Sequence, residues 1–335
     1  MTFPNVMRRE AQQSAKVYAC QAQPGELPQA VTEKCSCSPA PYTQKASKPM
    51  NPVVAVIAPG SMGAAVGARL VQRGLAVRTS LEGRSADTAA RAAAAGMAGS
   101  DDAAIAACDV ILSIVPPAQA LPLAQRLAPA LRASPRPPLY VDCNAVSPRT
   151  VERIAATIAP AGCAFVGAGI IGGPPQPGRK GPAFYASGPD APRFAALAEH
   201  GLDVRVLAGP LTAAAALKMA YGGITKGVTA LGAAMLLAAT RGGSAAALRR
   251  ELAASQPELL AWFERQITGM YPKAYRWVAE MEEVADFAGD NAETGDIYAA
   301  IAEFYQHIAR DFAGDGKEVE ALKAFFSKRT SAESE

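Results

Sequence analysis

The stretch V-V-A-V-I-A-P-G-S-M-G-A-A-V-G-A-R-L, Val53 to Leu70, decides how the rest of the chain is read. Val53 to Ala58 is apolar without polar alternation, which suits a strand buried on both faces of a parallel sheet. Gly60, Gly63 and Gly67 follow, and an Ala-rich helical pattern begins. Strand, glycine turn and helix in that order bring a phosphate against free backbone N–H groups at a helix N-terminus. Gly60 would let a pyrophosphate approach the backbone, while Gly63 and Gly67 would let the helix lie close on the strand. Ala58 stands where G-x-G-x-x-G has its first glycine; Pro59 biases it towards extended backbone, so the exchange prolongs the strand. Ala58, Pro59, Gly60, Ser61, Met62 and Gly63 are therefore the expected cofactor-binding turn, the alternative being a plain tight connection.

The chain has 335 residues, half of them hydrophobic and 19% charged, enough for two ordinary domains. Residues 1–49 differ from the rest. They are rich in Gln, Pro, Ser and Lys without apolar periodicity, as a disordered extension would be. Their six basic and three acidic residues account for the net charge of +3 and leave 27 of each sign in the body. A neutral body gives no electrostatic case for nucleic acid or an anionic membrane. No apolar h-region of a secretory signal occurs near the start. Cys20, Cys35 and Cys37 lie in the extension without the further ligands a metal site needs. Cys108, Cys143 and Cys163 are scattered and read as buried thiols of a reduced, cytoplasmic protein.

Beyond the first helix, Leu75 to Leu81 reads as a strand and Ser85 to Met97 as a helix capped by Ser85 or Asp87. Asp109 to Val115 is another buried strand, and Val115 and Pro116 at its end belong to the expected cofactor site. Helix to about Ala133, strand Pro138 to Asp142 and a helix from Ser147-Pro148 follow, with Ser as cap and Pro at the first helical position. Strands near Ala164–Val166, Ala183–Ser187 and Val204–Leu207 complete an α/β, Rossmann-type doubly wound parallel sheet over residues 50–210. From Thr212 to Thr240 runs one Ala-rich pattern without proline, about 44 Å if helical. It is apolar nearly all round, which calls for burial in protein; Lys218, Lys226 and Arg241 interrupt it too often for a membrane span. Only helical patterns follow. Residues 211–326 are thus an all-α substrate and dimerisation domain, and 327–335 a tail.

With the glycine turn, this order of elements and Lys218 in place, the chain resembles the β-hydroxyacid dehydrogenase family together with 6-phosphogluconate dehydrogenase, from about Met50 to the end. Met62-Gly63 is similar to the Met-Gly that often ends the coenzyme turn there. Asp142-Cys143-Asn144-Ala145-Val146-Ser147-Pro148 resembles the family's substrate segment Asp-x-Ser-Thr-x-x-Pro, with Asn for Ser. Ile171-Gly172-Gly173 resembles its Ser-Gly-Gly, with Ile for Ser. The family's catalytic helix carries Lys and, four residues on, Asn; Lys218 fits the first, and the second is Gly222. Three substrate-side polar groups have thus changed, so the family's substrates do not carry over. Tyr271 to Trp277 with Glu280-Met281 is similar to a C-terminal helical module of poorly characterised bacterial relatives of 6-phosphogluconate dehydrogenase.

The resemblance implies that Lys218 is catalytic. By helical periodicity it shares a face with Tyr221, Gly222 and Thr225, and an ammonium there needs a cleft or a partner; the alternative is a lysine whose head snorkels to solvent. Tyr221 is the alternative proton donor, as in imine-reducing relatives, or else core. Lys226 reads as an ordinary solvated end. Asn144 offers a donor and an acceptor to a substrate carboxylate or hydroxyl, or shapes the loop as an Asx-turn. Gly172 and Gly173 present N–H groups to substrate, or form a simple turn. His200 and His307 have no metal spacing, and no metal site is expected. At the second strand's end Glu82 suits the ribose hydroxyls of NAD, whereas Gly83-Arg84-Ser85 resembles the Asn-Arg-Thr turn of NADP-using relatives; Arg84 and Ser85 favour NADP. The expected protein is an NADP-dependent oxidoreductase, with NAD possible, for a small hydroxy acid or its oxo form. The alternatives are an imine reductase and a non-catalytic NAD(P)-binding sensor. A homodimer through the helical domain is expected, since Val228 to Ala239 is more apolar than one small domain covers.

Overall fold

The computed structural model describes residues 51–176 and 178–327. The expected disorder of 1–49, its three cysteines and the end of the 327–335 tail lie outside those residues. The described residues fall in one compact unit.

The first half alternates strand and helix: β1 (Val54–Ile57), α1 (Ser61–Gln72), β2 (Val77–Thr79), α2 (Ala86–Ala94), β3 (Ala98–Gly99), α3 (Asp102–Ala106), β4 (Val110–Ser113), α4 (Ala120–Ala133), β5 (Leu139–Asp142), α5 (Pro148–Ile158), β6 (Ala164–Ile171), β7 (Ala183–Ser187), α6 (Ala191–Ala195) and β8 (Asp203–Val206). The rest is helical: α7 (Ala213–Arg241), α8 (Ala245–Ser255), α9 (Pro257–Thr268), α10 (Ala274–Ala288), α11 (Ala292–Ala313) and α12 (Lys317–Phe326). The strands form one sheet in the order β3-β2-β1-β4-β5-β6-β7-β8. Chain order runs outward in one direction from β1 and then restarts on its other side at β4. That reversal is the switch point of an open α/β sheet, where a crevice opens at the strands' carboxyl ends.

Every residue of β1 is buried, as its unbroken apolar run demands. Val54 and Val56 enter the layer under α1 and α2, and Ala55 and Ile57 enter the layer with α3, α4 and α5. A third core, built from Met219, Met281, Tyr305, Leu322 and their neighbours, belongs to the helices that follow. Ser147 caps α5 by accepting from the N–H of Thr150 at 3.1 Å, with Pro148 at the first helical position. Ser85 caps α2 in the same way.

Several details depart from expectation. The sheet is mixed, because β7 runs antiparallel to β6 while its other neighbour pairs are parallel. A parallel return needs a crossover, usually helical; the linker 172–182 is rich in Gly and Pro and has no helix among its described residues, so the two strands make a hairpin. The short β3 and α3 went unforeseen, and β6 is longer than Ala164–Val166. β1 ends at Ile57, so Ala58 does not extend it. The long helix, by contrast, lies where it was expected. By length and composition α7 could cross a membrane, yet half of its most apolar window is buried inside the protein.

Candidate functional site

The glycine turn lies at the carboxyl end of β1, beside the switch point. Gly60 precedes α1, its N–H donating to the carbonyl of Ala58 at 2.8 Å. No side chain caps α1, and its first turn carries no acidic residue, so the positive end of the helix is left for an anion. A Cβ on Gly60 would meet no protein atom within 4 Å, whereas one on Gly63 would strike the carbonyl of Ala58 and one on Gly67 the Met97 thioether. The first glycine faces open space; the other two seat the helix. Arg91 of α2 donates to the carbonyl of Pro59 at 3.3 Å and ties the turn to its neighbour.

β2 pairs in parallel with β1, so its end reaches the same edge. There Gly83 adopts φ 66°, and the turn closes through the N–H of Arg84 donating to Leu81 at 3.1 Å. Arg84 is exposed and enters no ion pair among the described residues. Glu82, the competing ribose ligand, is also exposed, 3.9 Å from Arg126. Val115 and Pro116 follow β4, the strand across the switch point. A free helix N-terminus and an open glycine on one edge suit the phosphates of a dinucleotide.

Asn144 occupies the next strand end but turns inward. It is buried, its Oδ1 accepts from the N–H of Val115 at 2.7 Å, and its Nδ2 donates to Ser113 Oγ at 2.8 Å and to Asp142 Oδ1. Its groups are spent joining the loops after β4 and β5, which is the loop-shaping reading. Burial pushes the Asp142 carboxyl up to about 7, against the hydrogen bond from Asn144, and its Oδ2 has no partner among the described residues. Gly172 and Gly173 are exposed beyond β6. Gly172 has φ 122°, with Pro182 where a Cβ would go, while Gly173 faces open space.

Lys218 reaches this edge because β6 carries glycines. A Cβ on Gly167 would meet the Leu211 carbonyl, and one on Gly169 would lie 2.9 Å from Lys218 Cβ and 3.0 Å from the Ala214 carbonyl. The start of α7 thus rests on sheet backbone. Lys218 keeps 16% of its side chain exposed, and its Nζ lies 3.5 Å from Glu280 Oε1. The same oxygen receives Lys226 Nζ at 2.6 Å. Lys226 is therefore no solvated end: Trp277 packs under its ammonium at 5.4 Å, a favourable cation–π distance. Burial pulls the Lys226 pKa down against the pull of Glu280. Burial alone would raise the Glu280 carboxyl, but Lys218 and Lys226 outweigh it and hold it below the usual range. Tyr221, one turn on, is exposed.

Glu280 was not anticipated from the sequence. It belongs to a row on α10 with Glu283 and Asp286. Glu283 accepts from the N–H of Ser147 at 2.7 Å and from Thr150 Oγ1 at 2.9 Å, and Asp286 accepts from Ser147 Oγ at 2.7 Å. The i, i+3, i+6 spacing of three acids was the available signal. A cavity of about 220 Å3 is lined by Glu283 and Asp286 of this row and by Thr150, but by neither the glycine turn nor Lys218. Among the described residues no three His, Cys, Asp or Glu side chains gather as metal ligands.

Residues 53–200 match the NAD binding domain of 6-phosphogluconate dehydrogenase. Residues 239–308 match a domain of unknown function (DUF1932). A conserved protein of unknown function, whose structure reveals similarity with 3-hydroxyacid dehydrogenases, is 32% identical; the match covers 77% of this chain and 98% of that one, with TM-score 0.57. A conserved hypothetical protein from Sinorhizobium meliloti is 22% identical over 83% of this chain and 97% of its own, TM-score 0.60. Mycobacterium tuberculosis 3-hydroxyisobutyrate dehydrogenase, solved with L-serine, is 19% identical over 83% and 100%, TM-score 0.63. No curated protein matches the chain. The sheet-bearing half is thus an NAD(P)-binding domain with a hydroxyacid dehydrogenase-like fold.

Proposed function

Because the chain belongs to the 3-hydroxyacid dehydrogenase-like family with the NAD binding domain of 6-phosphogluconate dehydrogenase, we propose that it is an NADP-dependent oxidoreductase acting on a small hydroxy acid or its oxo form. The observation that carries this reading is Lys218, seated on Gly169 at the strand-end edge that also holds the uncapped N-terminus of α1. The residues Ala58 to Gly63 would hold the pyrophosphate on backbone N–H groups, Arg84 the 2′-phosphate, with Ser85, Val115 and Pro116 beside them. Bound there, the nicotinamide supplies the hydride chemistry. The protein manages the proton. In oxidation Lys218 Nζ takes the hydroxyl proton as the adjacent C–H electron pair leaves with its hydrogen; in reduction it returns a proton to the oxo oxygen. Gly172 and Gly173 would bind the substrate carboxylate through backbone N–H groups. Asn144 would act from behind, holding the loop of Val115 in place.

Two observations favour a second reading, reduction of an imine: Tyr221 is exposed beside Lys218, and position 222 lacks the Asn of the hydroxyacid enzymes. We also place the protein in the cytoplasm as a homodimer. Tyr221, Ile224, Val228, Leu231 and Met235 form an exposed apolar stripe along α7 at steps of three and four, the pattern of a helix that packs on another.

The test is NADPH consumption by the wild-type protein with oxo acids, semialdehydes and cyclic imines. Turnover of an oxo acid or semialdehyde is the expected result, and turnover of cyclic imines alone selects the second reading. Tight NADPH binding without turnover of any of them would overturn both and leave a sensor.

A further inference from the structure

Gly222 lies one helical turn after Lys218 and is buried. A Cβ built there would approach Glu280 Oε1 at 3.1 Å, Lys226 Nζ at 3.8 Å and the Glu280 carboxyl carbon at 4.0 Å. The space a side chain at 222 would need is thus filled by a carboxylate from another helix. That carboxylate is 10% exposed, and two ammonium groups, of Lys218 and Lys226, approach its Oε1. We infer that Glu280, lent by α10 into the gap left at Gly222, is the positioning residue for Lys218. The inference rests on the proposed role of Lys218 in the proton transfer.

The two contacts to Oε1 are unequal, and the inequality fits the role. At 2.6 Å Lys226 is a full charge-assisted hydrogen bond, whereas Lys218 at 3.5 Å is held by charge and only loosely by geometry. Lys226 is further fixed by Trp277 beneath its ammonium, and its own carbonyl accepts from Tyr305 Oη at 2.6 Å. It anchors Glu280 while leaving Lys218 free to swing its proton towards the cleft. On the α10 side, Met281 and Val284 are core residues, and Glu283 and Asp286 fasten the helix to the first turn of α5. Glu280 therefore cannot follow Lys218 outward. Two ammonium groups around one carboxylate leave one positive charge in excess, which suits an anionic substrate or a developing alkoxide at Lys218.

Glu280→Gln, Glu280→Ala, Gly222→Asn and the double variant Glu280→Ala/Gly222→Asn, all in the full chain, test this. Three quantities are read in each: NADPH affinity by fluorescence titration, kcat and KM on whichever panel compound the wild type reduces, and the rate at which trace acetic anhydride acetylates Lys218 in the cofactor-free protein, by peptide mass spectrometry. Glu280→Ala is expected to lower kcat by about 10²-fold, as a misplaced reacting group does, with KM and NADPH affinity little changed. It should also raise Lys218 acetylation several-fold, since the Lys218 amine loses the carboxylate that holds it at 3.5 Å. Gly222→Asn alone should lose activity because its side chain competes with the carboxylate; the double variant, with that space free, should recover part of kcat. If Glu280→Ala does not fold, Glu280→Gln reads the same quantities with the shape kept. Unchanged kcat and unchanged Lys218 acetylation in the folded variants overturn the inference. A wild type that turns over nothing defeats the oxidoreductase reading instead, and the acetylation rates still decide whether Glu280 holds Lys218.

Discussion

Arg84, in the turn after β2, and Asp142, the last residue of β5, illustrate opposite uses of a charge. Arg84 is exposed and unpaired among the described residues, so it can be spent on a ligand. Loss of one charge-assisted phosphate contact costs about 1.5–3 kcal/mol. Arg84→Ala should therefore weaken NADPH roughly tenfold or more and leave NADH nearly unchanged, read by fluorescence titration of both. Equal weakening would show that Arg84 only packs on the adenine, and a wild-type preference for NADH would hand the position to Glu82. Asp142 is fully buried with an unpartnered Oδ2, and burial lifts its carboxyl to about 7 from an ordinary 3.8. Below the ordinary value both folded and unfolded chains hold the proton; between the two values only the folded chain does; above 7 neither does. The folded state thus loses stability as pH rises from about 4 to about 7, by up to about 4 kcal/mol from this group, and is level above that. Asp142→Asn should remove the slope, so its stability relative to wild type rises between pH 4.5 and pH 8 in urea unfolding. A difference independent of pH would mean that the buried carboxyl is hydrated.

At the scale of elements, two backbone approaches and one side-chain junction set the site: α1 on β1 through Gly63, the start of α7 on β6 through Gly167 and Gly169, and α10 on α5 through its acidic row. Gly63→Ala drives a methyl group into the Ala58 carbonyl. It should cost about 1–3 kcal/mol in urea unfolding and, by lifting the helix N-terminus off the turn, weaken NADPH as well; normal stability with normal affinity would refute this account of the turn. The elements built on local periodicity were legible beforehand. α7 was placed to within a residue at each end by its proline-free Ala-rich run, and the caps at Ser85 and Ser147 by residue type. The antiparallel β7 was not, because strand direction depends on whether a linker contains a crossover, and an apolar run such as Ala183–Ser187 carries no direction. β3, two residues long, has no pattern to detect. In the site, glycine spacing revealed the turn and Lys218 revealed the helix, but the partners of Lys218 come from residues far along the chain. Lys226 looked solvated because its own helix gives no hint of Glu280, and Asn144 looked available because nothing local says that Ser113 and Val115 consume it.

On the scale of the whole molecule, one helix serves three surfaces. α7 lies on the sheet at its start, supplies Lys218 to the strand-end edge, and offers its apolar stripe outward while Ala230, Ala233, Leu236 and Leu237 face the helical core. A stripe of that kind is covered most simply by its own copy across a two-fold axis. Leu231→Glu together with Met235→Glu should turn a dimer into a monomer by light scattering at micromolar concentration, and a wild type that is already monomeric would sink the idea. The central claim is that Lys218 moves the proton that accompanies hydride transfer. It is tested most directly by comparing wild type with Lys218→Met for NADPH affinity and for kcat on whichever panel compound the wild type reduces. The account predicts unchanged affinity with kcat lowered by about 10²–10⁴; near-normal kcat in the variant would contradict it and move the proton to Tyr221.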